Sequence, residues 1–236
     1  MSKPLVSVIM TVYNGEKYIE ESLKSIFNQT FRDFEVIVYN DASIDGTESI
    51  CARYMEKYKK FTHFICGPFN VGCGEGRNEA IARARGKYIA IQDADDISFI
   101  WRLEKEARFL EKNKDIFCVG AWADKMEENG DFIELMIYPP ATPEENYNEM
   151  ILKKNNPIID PSCMYRRSLF NELGGYDSRW QLVPDFNLWA RAMKNGYKFA
   201  NLQEVLVHYR KHPNSVTTKS EMDVVKEHFR MCKEML

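Results

Sequence analysis

Short apolar runs alternate along this chain with segments in which apolar residues recur every three or four positions. The runs are Leu5–Met10, Phe34–Tyr39, Thr62–Ile65, Tyr88–Gln92 and Phe117–Trp122. Their Val, Ile, Phe and Tyr content and their length predict strands buried on both faces. Between them, Glu16–Phe27 carries an apolar stripe of Tyr18, Ile19, Leu23 and Ile26. Asp45-Gly46-Thr47 opens a second helix to about Tyr58, with Thr47 as its N-cap. The loop 67–76 leads into a third helix ending near Arg85, and a fourth runs from about Trp101 to Lys112. Strands alternating with helices predict a parallel sheet with right-handed crossovers.

After Trp122 the pattern changes. Asp131–Tyr138 reads as a hairpin arm, broken by Pro139-Pro140. Thr142–Lys154 reads as a helix with Thr142 and Glu145 in a capping box. Pro161–Arg166 is expected as a strand, Ser168–Leu173 as a short helix and Gly174-Gly175 as a turn. Asp185–Lys194 is a further helix, ended by Asn195-Gly196. Tyr197–Phe199 and Val205–Tyr209 are expected as two strands. Glu221–Leu236 is an amphipathic tail helix with Val224, Val225, Phe229 and Met235 on its apolar face. No repeat, low-complexity tract or linker interrupts the chain. One domain over 1–236 is therefore expected, with halves at about 1–96 and 97–220 and the tail helix at 221–236.

Charge and cysteine usage narrow the function. A net charge of −3 over 236 residues offers no basic field, so nucleic acid is not expected as a partner. The six cysteines are scattered with no C-x-x-C, which fits neither a zinc site nor a disulfide framework and suits a reducing cytoplasm. No stretch has the length of a spanning helix or a signal peptide. A soluble, cytoplasmic protein is expected, with peripheral membrane contact open.

The chemistry concentrates where strands end. Tyr88–Gln92 runs straight into Asp93, Asp95 and Asp96. Carboxylates this close repel one another unless a cation sits between them. In an open α/β sheet, ligands bind at the carboxyl ends of strands. Alternation along extended backbone puts Asp93 and Asp95 on one side, where two hard oxygen ligands suit Mg2+ or Mn2+ bridging phosphates. An acidic turn capping the next helix is the plainer reading of the same residues. After the first strand, Tyr13 offers a ring for a base, or Asn14-Gly15 is an ordinary turn. After the second, Asp41 can accept a uracil imide N–H or cap a helix. The loop Asn70-Val-Gly72-Cys-Gly74-Glu-Gly76-Arg77 has the wrong spacing for a dinucleotide fingerprint. It reads as backbone approaching a ligand, with Arg77 near base or phosphates.

Together these segments resemble the family 2 inverting glycosyltransferases of GT-A-type fold. The resemblance rests on Val6–Gly15, Gln29-Thr-Phe, Asn40–Thr47, Arg77-Asn78 and Gln92–Asp96. It continues through Met164–Arg167, Gly174–Asp177, Asp185–Trp189 and Tyr209–Ser215, leaving out the tail. It implies a Rossmann-like, mostly parallel sheet flanked by helices, with a nucleotide-sugar half and a smaller acceptor-side half. It also implies that Thr11, Tyr13, Asp41 and Arg77 contact the nucleotide, with Asp93 at the ribose. Asp95 would hold Mn2+ or Mg2+ on the diphosphate, Asp185 would be the general base, and His212 a further metal or diphosphate contact, with His208 as the alternative. The implied donor is a UDP-sugar and the acceptor a saccharide or lipid-linked saccharide.

The chemistry of an inverting transfer asks for one base opposite the leaving group and one cation on the departing diphosphate. Asp185, at a helix start, also suits an N-cap. Trp180 suits a sugar face or a core position. Departures from the family pattern lie at Pro184, Asn187, Asn40, Ala42-Ser43-Ile44 and Asp160-Pro161, mainly on the acceptor side. Two other functions fit parts of the pattern: a nucleotidyltransferase, which normally has a basic glycine-rich loop after the first strand, and a binding module, which needs no base.

Overall fold

The computed structural model describes residues 3–59, 62–137 and 141–236. The Pro139-Pro140 break and the end of the hairpin arm at Tyr138 lie outside the described residues, as do Met1 and Ser2. The first half runs Val6–Val12 (β1), Ile19–Phe27 (α1), Phe34–Asn40 (β2), Thr47–Lys57 (α2), Thr62–Cys66 (β3), Cys73–Ile81 (α3) and Tyr88–Ile91 (β4). β1 pairs in parallel with β2 on one side and β4 on the other, and β2 pairs in parallel with β3. Every residue of β2 and β4 is buried. Alternate residues serve opposite faces: Ile9, Ile37, Ile89 and Ile91 pack into one core, and Val8, Met10, Val36, Val38 and Ala90 into the other.

The second half runs Ile97–Ser98 (β5), Arg102–Lys112 (α4), Ile116–Met126 (β6), Phe132–Met136 (β7), Pro143–Tyr147 (α5), a π-turn at Asn148–Leu152, a 3-10 turn at Asp160–Ser162 and Met164–Arg166 (β8). Arg167–Glu172 (α6), Pro184–Lys194 (α7), Lys198–Arg210 (β9), Val216–Lys219 (α8) and Glu221–Met235 (α9) follow. Among the described residues one sheet has the order β3-β2-β1-β4-β8-β6-β9-β5, with β7 on β6. The short β8 lies antiparallel between β4 and β6. The sheet is thus mostly parallel in its first half and mixed beyond β4, a GT-A-like arrangement with helices on both faces.

Several expectations change in detail. Gly46, not Thr47, is the N-cap of α2. The Asp45 carboxylate accepts from the Thr47 N–H at 3.0 Å, and the Thr47 hydroxyl accepts from Gly15 N–H at 2.9 Å. Gly74 and Gly76 belong to α3, not to its approach loop. A Cβ on Gly76 would stand 2.9 Å from the Tyr39 ring and 3.3 Å from Thr11, so glycine lets the helix seat against β1 and β2. The two expected strands after Tyr197 are one bulged strand, β9, and β6 continues to Met126, because the two pair along their lengths. Thr142 and Glu145 form the capping box, but the helix widens into a π-turn after Tyr147. The Pro161 end of its expected strand is a 3-10 turn.

The tail face also differs. α9 packs through Val224, Met231, Cys232 and Met235 against the core, while Val225 and Phe229 face outward. A stripe at i, i+7, i+8 and i+11 is as good a helical face as the expected one. Trp180 is 2% exposed, which removes it as a platform for a sugar.

Candidate donor and metal site

β4 ends at Ile91, and the acid segment after it is a turn, closed by the Asp96 N–H on the Asp93 carbonyl at 3.3 Å. The convergence of carboxylates therefore comes from the turn, not from strand alternation. Ligand oxygens of Asp93, Asp95 and Asp96 lie within 4.8 Å of one another. Gln92, buried beneath them, directs its amide N–H groups to the Asp93 carbonyl at 3.0 Å, the Asp96 carbonyl at 2.9 Å and Ser22 Oγ at 3.0 Å. The Arg102 guanidinium, fully buried, donates to the Ile91 carbonyl at 2.8 Å, to Gln92 Oε1 at 3.2 Å and to Glu106 at 2.9 Å. The turn is thus fixed from inside by a polar lattice before any ligand arrives.

Each acid has a different partner. Asp95 Oδ2 is 2.8 Å from His212 Nε2. Asp96 is 1% exposed and accepts the Arg210 N–H at 2.8 Å, while its Oδ2 is without a hydrogen-bond partner among the described residues. Asp96 caps no helix, since the N-cap of α4 is Trp101, with no side-chain cap. Burial, then the charges of Asp95 and Asp93, pushes the Asp96 carboxyl well above the ordinary carboxylate range. Burial likewise raises Asp93, against the pull of Arg77. An imidazole and three carboxylates, one of them with a buried unpaired oxygen, are a donor set suited to a hard divalent cation. The Tyr18 ring lies 4.6 Å from the His212 ring and 5.3 Å from the Arg210 guanidinium carbon. His208 stands elsewhere, paired with Asp124 beside Phe99.

Arg77 emerges from α3 and is 3% exposed. It joins two carboxylates, Asp93 at 2.9 Å and Asp160 at 2.6 Å. Burial pushes the Asp160 carboxyl up to about 7, with Arg77 pulling it down and the charges of Asp185 and Asp93 adding to the rise. Asp185 sits in the first turn of α7 and accepts from Asn156 Nδ2 at 2.7 Å. Asp93, Asp160 and Asp185 therefore lie close enough for their charges to bear on one another, with Arg77 bridging the first two.

The remaining sequence candidates lie at the ends of β1 and β2. Thr11 Oγ1 shares a 3.5 Å hydrogen bond with Cys73 Sγ at the start of α3. Tyr13 is 52% exposed, its ring free at the tip of β1. Asp41 follows β2 and caps no helix. Its two oxygens accept from the Val71 N–H at 2.8 Å and the Gly72 N–H at 2.9 Å, clasping the glycine-rich loop. Gly72 has φ +86°, so glycine is required where that loop turns into α3. The β1 and β2 loops also bind each other: Asn14 accepts from the Ile44 N–H at 2.9 Å, and Ser43 accepts from the Asn14 N–H at 2.9 Å.

Gln92, Arg102, Asn156 and Asp160 were not assigned from sequence. Asp160 entered only as a departure from the family pattern. Gln92 and Arg102 sit at positions that strand and helix periodicity assigns to core. The signal available was polarity itself, because a buried Gln or Arg must be bonded to something.

With this geometry in place, the chain's kinship is clear. The family profile described as glycosyl transferase family 2 matches residues 7–174, a span that includes Thr11, Asp41, Arg77, the acid turn and Asp160. The chain belongs to that family. An uncharacterized glycosyltransferase of Methanocaldococcus jannaschii is 39% identical over 215 residues, covering 89% of this chain and 72% of that protein. An O-antigen biosynthesis glycosyltransferase, WbnJ of Escherichia coli, is 30% identical, covering 92% of this chain and 84% of that one. The chain is thus a glycosyltransferase related to enzymes of polysaccharide biosynthesis, which sets the nucleotidyltransferase alternative aside.

Among solved structures, S. aureus TarS 1-349 with UDP superposes at a TM-score of 0.73 and 23% identity, over 98% of this chain and 65% of that one. The mannosyltransferase PcManGT of Pyrobaculum calidifontis with GDP-Man and Mn2+ superposes at 0.76 and 21% identity, over 99% and 65%. These likenesses establish the fold. No helix among the described residues is long and apolar enough to cross a membrane.

Proposed function

We propose that the protein transfers a sugar from a nucleoside diphosphate sugar, with UDP as the nucleotide, to a saccharide or lipid-linked saccharide hydroxyl, with inversion. The observation that carries this is the meeting of the Asp93–Asp96 turn, His212 and Arg77 with Asp185, whose charge bears on Asp93 and Asp160. Asp95 and His212 would hold Mn2+ or Mg2+. Bound there, the cation would neutralise charge on the departing diphosphate. Thr11, Tyr13, Asp41 and Arg77 bind the nucleotide, with the Tyr13 ring under the base and Asp93 at the ribose. The Asp41 oxygens keep lone pairs for an imide N–H beside the two amides they already hold. Asp185 takes the proton of the attacking hydroxyl, and its Asn156 bond leaves Oδ1 for that task.

The parallel half and the mixed half act as one domain over 1–236, the first (1–96) for the donor and the second (97–220) for the acceptor. The six free cysteines fit a cytoplasmic setting, where peripheral contact with the membrane would meet a lipid-linked acceptor. Release of UDP from a UDP-sugar, followed with and without EDTA, tests the reading. Turnover is expected only with Mn2+ or Mg2+; full turnover in EDTA refutes the metal assignment. A panel including GDP-sugars tests the nucleotide, and preference for a GDP-sugar overturns the UDP assignment.

A further inference from the structure

The terminal helix α9 meets the base-bearing segment through more than its apolar face. Glu227 is largely buried and turns Oε2 toward the chain just before α7. There it accepts from the Leu182 N–H at 2.6 Å and the Val183 N–H at 3.2 Å. Val183 is the N-cap of α7 but has no side chain able to accept, and Pro184 at the first helical position has no N–H. The carboxylate that fixes the entry to this helix thus comes from another helix.

The next residue reaches the other side of Asp185. The His228 ring stacks on Phe186 with centroids 4.4 Å apart, and its Nε2 donates to the Lys154 carbonyl at 2.9 Å. Lys154 has φ +64°, a left-handed conformation uncommon for a side chain of this length, so the carbonyl is held at a sharp turn. Two residues on, Asn156 accepts the Ile158 N–H on its Oδ1 at 3.2 Å, which fixes the amide so that Nδ2 points at Asp185 Oδ2. Adjacent residues of α9 therefore grip the helix start that carries Asp185 and the turn that carries its partner. Arg230 adds a third hold, with its guanidinium carbon 4.5 Å from the centre of the buried Trp180 ring. Apolar contact alone would dock α9, and Val224, Met231 and Met235 supply it. Glu227 and His228 instead bond the backbone on either side of one carboxylate.

We infer that Glu227 and His228 are positioning residues for transfer: α9 is a clasp that sets the direction of the Asp185 carboxylate toward the acceptor. The inference rests on the reading of Asp185 as the base. A base displaced by an ångström loses much of its rate while the donor site, built on β1, β2 and β4, keeps its geometry.

The test compares the full-length Glu227→Ala, Glu227→Gln and Asp185→Asn proteins, plus the double variant Glu227→Ala/Asp185→Asn. The substrate is the nucleotide sugar that the parent turns over fastest in a panel of UDP- and GDP-sugars. Glu227→Ala is expected to lower kcat about tenfold or more with the Kd for UDP and Mn2+ unchanged. Glu227→Gln, whose amide oxygen can accept the same two N–H groups, is expected to recover most of it. Glu227→Ala should cost nothing further in the Asp185→Asn background, because it acts through Asp185. Parental kcat in a folded Glu227→Ala, with Asp185→Asn inactive, overturns the clasp and leaves the base standing. Parental kcat in Asp185→Asn overturns both. Equal loss of kcat and UDP binding in Glu227→Ala shows general destabilisation and also overturns the clasp.

Discussion

At the proposed donor end, Thr11 lies near the end of β1, and Asp41 and the Asp93–Asp96 turn follow β2 and β4; the three strands lie side by side in parallel. At the proposed base end, Asp185 lies in the first turn of a helix whose neighbours come from a turn at Asn156 and from the terminal helix. The donor end inherits its geometry from the sheet, since parallel strands must present their carboxyl ends together. The base end inherits its geometry from side chains that meet only after the second half has packed. A sheet-built site is rigid and can be anticipated residue by residue, whereas a helix-built one depends on contacts between distant segments.

The largest expected effect separates the two ends. Asp185→Asn should lower transfer about a thousandfold while UDP still binds with Mn2+, as kinetics and calorimetry on one preparation will show. A rate near that of the parent would reduce Asp185 to a first-turn acid held by Asn156.

Rigidity of the donor end is tested from below the turn. Arg102→Met leaves Glu106 buried without its guanidinium and frees the Ile91 carbonyl and Gln92. We expect a loss of about 3 to 5 kcal/mol in urea unfolding. A loss below about 1 kcal/mol would mean that the polar lattice does not hold the turn. Asp41→Asn is milder. It exchanges one of two amide acceptors for a donor, so about 1 kcal/mol should be lost, with faster amide exchange confined to Val71 and Gly72. Unchanged exchange there would separate Asp41 from the loop.

A pH-dependent effect concerns the carboxylate between the two ends. Burial raises Asp160 from 3.8 to about 7. A carboxyl with a raised folded value favours the folded state below its unfolded pKa and loses that contribution as pH rises through the folded one. The unliganded parent should therefore lose stability relative to Asp160→Asn between pH 4 and about 7, seen as a narrowing or reversal of the gap in thermal midpoints. A gap independent of pH would show that Arg77 fully compensates the buried charge.

The same contrast explains what could be read in advance. The order of β1 to β4 and the acid cluster were legible because each is local: an apolar run, then polar residues at its end. The resemblance to family 2 enzymes pointed to Asp95 and, separately, to His212 or His208; that His212 stands 2.8 Å from Asp95 is a contact no local pattern contains. The strand expected over Pro161–Arg166 is present as β8 at Met164–Arg166, but three residues carry too little pattern to reveal its antiparallel place between β4 and β6. The tail face was misjudged because Phe229 is more apolar than Met231 or Cys232, yet Phe229 is 69% exposed and Met231 is buried. Asp160, Asn156 and Glu227 were illegible for a common reason. Each matters through hydrogen-bond partners far away in sequence, and the pairing of buried polar groups leaves no periodicity behind.

The central claim is that the Asp93–Asp96 turn binds the donor through a divalent cation held by Asp95. Isothermal titration of UDP into the parent and into Asp95→Ala, each with Mn2+ and again with EDTA, tests it most directly. Tight binding in the parent with Mn2+, and binding at least about tenfold weaker in EDTA and in Asp95→Ala under both conditions, is the predicted result. UDP affinity that is the same in all four titrations would contradict it.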